Sequence, residues 1–185
     1  MTRLTIAVLG GLNIQVAGAD TPLDFPTRKS KAFLAYLALS PGMLRSREQL
    51  AATFWDRSAE DQARASLRQT LSSLRRTLSS VLALFNADSD AIWLDARAVE
   101  VDALRFAQLS VERSSDSLEQ AVALYRGELL DGFSLHEEHF EQWMTAERRR
   151  YHECAVQAFS ELASHYERVD QFDGAIAMSP IDPRE

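Results

Sequence analysis

Leu67, Leu71, Leu74 and Leu78 recur at helical spacing and place one apolar stripe along a helix predicted from Ala59 to Ser80. Ser58 is the expected cap, its hydroxyl reaching the amide near Asp61, while Glu60 and Asp61 suit the positive end of the helix dipole. Gln69, Ser72, Ser73 and Arg76 fall opposite the stripe, and Arg64, Arg68 and Arg75 flank it. A shorter helix comes before it, capped by Ser46 with Gln49 three residues on, and carrying Leu50, Ala51 and Phe54 on one face. The turn around Asp56 and Arg57 joins the two, so the pattern predicts a helix-turn-helix.

Upstream, Leu4 to Leu9 and Leu12 to Val16 read as strands joined at Gly10-Gly11, with a third extended piece near Leu23 to Phe25, as an antiparallel sheet. The Gly-Gly pair is a turn and not a phosphate loop, since no Gly-Lys-Ser/Thr follows. Pro26-Thr27 opens a helix from Arg28 to Leu39, ended by Ser40-Pro41-Gly42. Arg28, Lys29 and Lys31 crowd its first turn against the dipole, which suits either a nearby phosphate or plain solvation. Downstream, Val81 to Phe85, Ala91 to Leu94 and Val99 to Val101 read as a hairpin, the wing of a winged helix. Its Asp88, Asp90 and Asp95 outweigh Arg97, so little of the DNA affinity is expected from the wing.

The second half is helical by the same criterion. Leu118, Ala121, Val122 and Tyr125 mark an amphipathic helix from Ser117 to Tyr125, and Ser134 with Glu137 marks the start of another. Phe140, Trp143, Met144, Tyr151, Ala155, Phe159, Leu162 and Tyr166 then line one long face. A further helix is expected to begin near Phe172 and to be cut short by Ser179-Pro180.

Composition divides the chain in the same place. The net charge of −7 separates into +3 for residues 1–98 and −10 for residues 99–185, which points to two domains with different partners. The 46% hydrophobic content and five prolines fit compact folding, and Cys154, the single cysteine, reads as an inert thiol on a helical face. The first residues lack a secretion signal and no run approaches a membrane span, so a cytoplasmic protein without a membrane partner is expected. His136, His139, His152 and His165 show no ligand spacing, and no nucleophile, base and oxyanion set emerges. Neither an enzyme nor a metal or cofactor protein is predicted.

Thr27-Arg28-Lys29, Ser46-Arg47-Glu48-Gln49-Leu50, Trp55 and Ala63-Arg64-Ala65-Ser66-Leu67-Arg68-Gln69 with Leu74-Arg75-Arg76 resemble the OmpR/PhoB-type winged helix of the bacterial SARP/AfsR/DnrI-like transcriptional activators. Leu124-Tyr125-Arg126-Gly127-Glu128-Leu129-Leu130-Asp131-Gly132-Phe133, Phe140-Glu141-Gln142-Trp143 and Glu147-Arg148-Arg149-Arg150 are similar to the activation domain that follows it in that family. The resemblance implies a mainly α fold with a small β component: a winged helix-turn-helix over 1–101, then a tetratricopeptide-like helical domain over 102–185, incomplete at its C-terminus. It also implies an activator on direct-repeat promoter DNA, with the acidic helical half contacting RNA polymerase or a second copy in a homodimer. By resemblance, Arg68, Gln69, Ser72 and Ser73 face bases or nearby phosphates; Arg64, Arg75 and Arg76 suit backbone contacts; Arg47 and Trp55 sit at the groove edge, while Arg28 and Lys29 join the DNA-binding candidates on the dipole argument alone. Trp55 suits a core position equally well. The rival reading is a protein-interaction module whose winged helix has lost its DNA affinity; it predicts apolar exposure and salt-tolerant binding.

Overall fold

The computed structural model of the chain describes residues 3–79 and 85–178, with side chains as far as Arg168. Strands β1 (Leu4–Ala7) and β2 (Asn13–Val16) pair antiparallel, with Ile6 opposite Ile14 and both buried. Helix α1 (Arg28–Ala38) follows, capped by the Thr27 hydroxyl, which accepts from the Ser30 amide. Then come β3 (Arg45–Ser46), α2 (Arg47–Phe54), α3 (Glu60–Thr77), β4 (Phe85–Ala87), β5 (Ala91–Leu94) and β6 (Val99–Val101). The helical half contains α4 (Asp102–Glu112), α5 (Ser115–Leu124) and α6 (Glu138–Met178). The molecule is mainly α with a small β component, and the succession α2, α3 and the β4–β5 hairpin is the element order expected of a winged helix-turn-helix. No helix among the described residues is long and apolar enough to cross a membrane.

Several boundaries differ from the sequence expectation. Only β4 and β5 make the wing hairpin, with β3 added on the far side of β5; Val81 to Leu84 lie outside the described residues. β6 leaves the wing and pairs parallel with β1, Ile6 opposite Val101, so the first sheet has the order β2-β1-β6 and is mixed, not purely antiparallel. Leu23 forms no strand, but its amide donates to the Ile14 carbonyl (2.8 Å). Ser58 does not cap α3, whose N-cap is Ala59 without a side-chain hydrogen bond; the Ser58 amide instead closes the turn onto the Trp55 carbonyl (3.1 Å). Ser134 turns to Glu141, not Glu137, and the helix that starts there runs unbroken through Phe172. The Ser179-Pro180 stop lies outside the described residues.

One hydrophobic cluster runs through both halves, from Leu4 and Ile6 through Phe33, Phe54 and Leu67 to Phe106, Phe140 and Tyr151. The junction between halves is aromatic: Phe54 stacks on Phe140 (5.2 Å between centroids) and Tyr36 meets Trp143 edge-on (4.6 Å). A backbone clip reinforces it. The Leu130 amide donates to the Val8 carbonyl (2.7 Å) and the Gly10 amide to the Glu128 carbonyl (3.0 Å), so the Arg126-Gly127-Glu128-Leu129-Leu130 segment lies against the β1–β2 turn. Asp102, at the strand-to-helix change, accepts from the Val8 and Leu9 amides (2.9 and 3.1 Å); burial pushes its carboxyl up despite those bonds.

Candidate nucleic-acid interface

Helix α3 is two-sided in the way its sequence requires. Ala63, Leu67, Leu71, Leu74 and Leu78 are at most 5% exposed, which fixes the rotation of the helix on the core. The opposite arc then faces solvent: Arg68, Gln69, Ser72, Arg75 and Arg76 are exposed, with Ser73 half-buried at the edge. Arg68 and Ser72 are four residues apart and so are Ser72 and Arg76, which sets them on neighbouring rows of one face. Arg68, Arg75 and Arg76 make no ion pair among the described residues, whereas Arg64 is bound to Glu60 one turn before it. A cleft of about 500 Å³ lies between α2, α3 and the wing, lined by Arg47, Arg64 and Arg68 and, across from them, Ser89 and Asp90.

Arg47 ties α2 to the wing. Its Nε and Nη2 donate to the Asp88 carbonyl (3.0 and 2.7 Å) and its amide to the Asp90 carbonyl (2.8 Å). The Asp88 carboxylate folds back on its own turn, accepting from the Ala91 and Asp90 amides (2.6 and 2.8 Å). Those two bonds, with the Arg47 charge beyond them, hold its carboxyl below the usual aspartate value. The wing carboxylates thus serve the turn, and Arg47 is a brace for the hairpin with one face on the cleft.

Arg28, Lys29 and Trp55 occupy the other side of the head, against the helical half. The Lys29 ammonium pairs with Glu137 and lies over the Trp55 ring (5.2 Å), and the Arg28 guanidinium covers Phe133 (4.9 Å). Trp55 is 8% exposed, packed beside Phe54. These three thus stand apart from the α3 arginines: Lys29 meets an acidic and Arg28 an aromatic group of the second half. The partners that sequence reasoning missed are Glu137, Phe133 and His139. The His139 amide donates to Asp56 Oδ2 (3.2 Å) and its Nδ1 lies 3.1 Å from the Ala52 carbonyl. Burial pushes the Asp56 carboxyl up, but contacts with the Glu137 side chain and the amides of His139 and Glu138 outweigh it and hold the group below its ordinary value. The acidic Glu137-Glu138 pair was the available signal for a partner to Lys29, though nothing in the spacing joined them.

These features define a class: a mixed α and β first half packed on a helical second half around one core. Residues 92–180 match the family model of the bacterial transcriptional activator domain. The match begins within β5, ahead of the strand-to-helix change at Asp102. No curated protein matches the chain. Among solved structures, Mycobacterium tuberculosis EmbR, determined in complex with a low affinity phosphopeptide, shares the fold with a TM-score of 0.75 and 24% identity. The alignment covers 96% of this chain and 49% of that one, so the chain spans about half the length of that structure.

Proposed function

We propose that this chain is a sequence-specific regulator of transcription, an activator, that reads double-stranded DNA by seating α3 in the major groove. The observation that carries the reading is the exposed arc of Arg68, Gln69, Ser72, Arg75 and Arg76 set opposite a fully buried leucine stripe. Residues 1–101 form the reading head and 102–185 the helical domain. Arg68 and Gln69 reach base edges, where guanidinium pairs with guanine and a side-chain amide with adenine. Ser72 and Ser73 give weaker or water-mediated contacts, and Arg64, Arg75 and Arg76 neutralise phosphates. Arg47 holds the wing at the groove edge, while Arg28, Lys29 and Trp55 act in the junction with the helical domain and leave the contact set. The acidic helical half contacts RNA polymerase or a second copy on direct-repeat sites, and the protein works in the cytoplasm. Its test is a substitution series on specific and scrambled duplexes. Arg68→Ala or Gln69→Ala should relax sequence preference, whereas Arg76→Ala should weaken all duplexes alike and reduce the salt slope by about one unit. Equal effects of all three on every duplex would overturn this division of labour.

A further inference from the structure

On the outer face of the first sheet, Thr5 pairs with Gln15 on one side and Glu100 on the other, so these three stand in one row, with Ala7 and Asn13 in the next. Leu4, Ile6 and Ile14 point the other way and are buried. The first turn of α4 and the segment after α5 border this polar face, and together they enclose a cavity of about 270 Å³ with Arg105 and Arg126 among its walls. Other arginines of the helical half have acceptors. Arg113, Arg148, Arg149 and Arg150 pair with Glu161, Glu128, Glu153 and Glu147, and Arg168 donates to the Ser164 carbonyl. Among the described residues of that half, Arg105 and Arg126 alone make neither an ion pair nor a side-chain hydrogen bond, and both line this one cavity. In a half with a net charge of −10, two unanswered guanidiniums at one place point to an anionic group on a ligand. The nearby carboxylates do not serve them. Asp102 is taken by the Val8, Leu9 and Ala103 amides (2.9, 3.1 and 2.7 Å), and its charge reaches Arg126 without an ion pair. Glu100 has no cation within ion-pair distance among the described residues.

We infer that this cavity binds a small polar α-amino acid, its carboxylate on Arg105 and Arg126, its ammonium on Glu100 and its side chain over Asn13 and Gln15. Two guanidiniums suit a carboxylate through paired N–H donors, and the free Glu100 disfavours a plain anion while answering an ammonium. The amides of Asn13 and Gln15 both donate and accept, which matches a polar side chain better than an apolar one. The volume lies just below the ~300–1,000 Å³ of drug-sized pockets, so the ligand is small. The close approach of Gly10 and Gly127 fixes the backbone at Arg126 and so the root of one guanidinium. The cavity shares no residue with the cleft beside α3, and the inference does not rest on DNA reading.

Isothermal titration of the full chain with L-glutamine tests this, beside glutaramate, which lacks the ammonium, and γ-aminobutyramide, which lacks the carboxylate. Saturable one-site binding of L-glutamine is expected, about tenfold or more tighter than either fragment, as befits one charged hydrogen-bond partner. Arg105→Gln and Arg126→Gln should each weaken L-glutamine by a similar factor of about ten. Glu100→Gln should bring L-glutamine down to the level of glutaramate without weakening glutaramate itself. All three side chains are exposed, so the variants should keep the fold, which circular dichroism checks; the fragments need no variant and decide if one misfolds. No binding at millimolar L-glutamine, a fragment that binds as tightly as L-glutamine, or unchanged affinity in both arginine variants would each overturn the assignment.

Discussion

At Gly10 the backbone φ is +85°, and an added Cβ would lie 2.9 Å from the Arg126 carbonyl carbon and oxygen. Gly127 faces it with φ +151° and Gly10 Cα at 3.1 Å, so the two glycines permit the close approach of the β1–β2 turn to the helical half. Gly10→Ala should cost about 1–3 kcal/mol from forced backbone geometry, more if the clip opens, and a urea titration reads it. An unchanged midpoint would contradict the close approach. The sequence showed a turn at Gly10-Gly11 but not its partner, because Gly127 is distant in the chain and glycine carries no pattern beyond permissiveness. Lys29 is the same case: its charge was legible, while Glu137 as the group that answers it was not. Glu141 makes the pH dependence specific. Burial raises its carboxyl, but the Leu135 amide (2.7 Å), the Ser134 hydroxyl (2.8 Å) and the His136 amide (3.1 Å) outweigh that and depress it. A depressed carboxyl contributes stability that is present above the unfolded value of about 4.3 and lost as pH falls through the folded value. Wild type should therefore lose urea resistance below about pH 4.3 more steeply than Glu141→Gln, and parallel pH profiles would count against the role.

Among the elements, α3 was the most legible, because four leucines at helical spacing can only be buried together by one rotation of one helix. Its exposed arc followed from that rotation. Strand β6 was legible as a strand but not in its place: Val99 and Val101 alternate with Glu100, a pattern that fits a hairpin arm and a parallel partner of β1 equally well. Helix α4 drew no prediction, although Ala103, Phe106 and Leu109 recur every three residues and are all buried. The sequence suggests a break within the long α6 because Phe172 and Ala175 resemble the start of a repeat helix, yet no proline or glycine interrupts 138–171. The contact of α2 with α6 is where the two halves depend on each other. Phe54→Ala and Phe140→Ala should each cost about 3–5 kcal/mol. Because the rings are 5.2 Å apart, the double variant should depart from additivity by at least about 0.5 kcal/mol. Strict additivity in denaturant melts would show that the halves are energetically separate.

For the whole molecule, the charge division now has a structural meaning. The mildly basic half sets Arg68, Arg75 and Arg76, without ion pairs among the described residues, on one side of α3, and part of its remaining positive charge, from Lys29 and Arg28, is turned to the acidic half. A net charge of −7 thus coexists with a local cationic surface, and phosphate contacts by its arginines, each releasing counterions, should make binding fall with salt. The match of residues 92–180 to the bacterial transcriptional activator domain supplies the regulatory context, and the arc on α3 supplies the reading surface. The most direct measurement is fluorescence anisotropy of the chain on direct-repeat duplexes from the region upstream of its own gene, titrated across salt. The account predicts saturable binding that weakens steeply with salt and exceeds binding to scrambled duplex by a factor of about a thousand or more. Absence of binding at low salt, or binding indifferent to sequence and salt, would contradict it and favour a winged helix that binds protein instead.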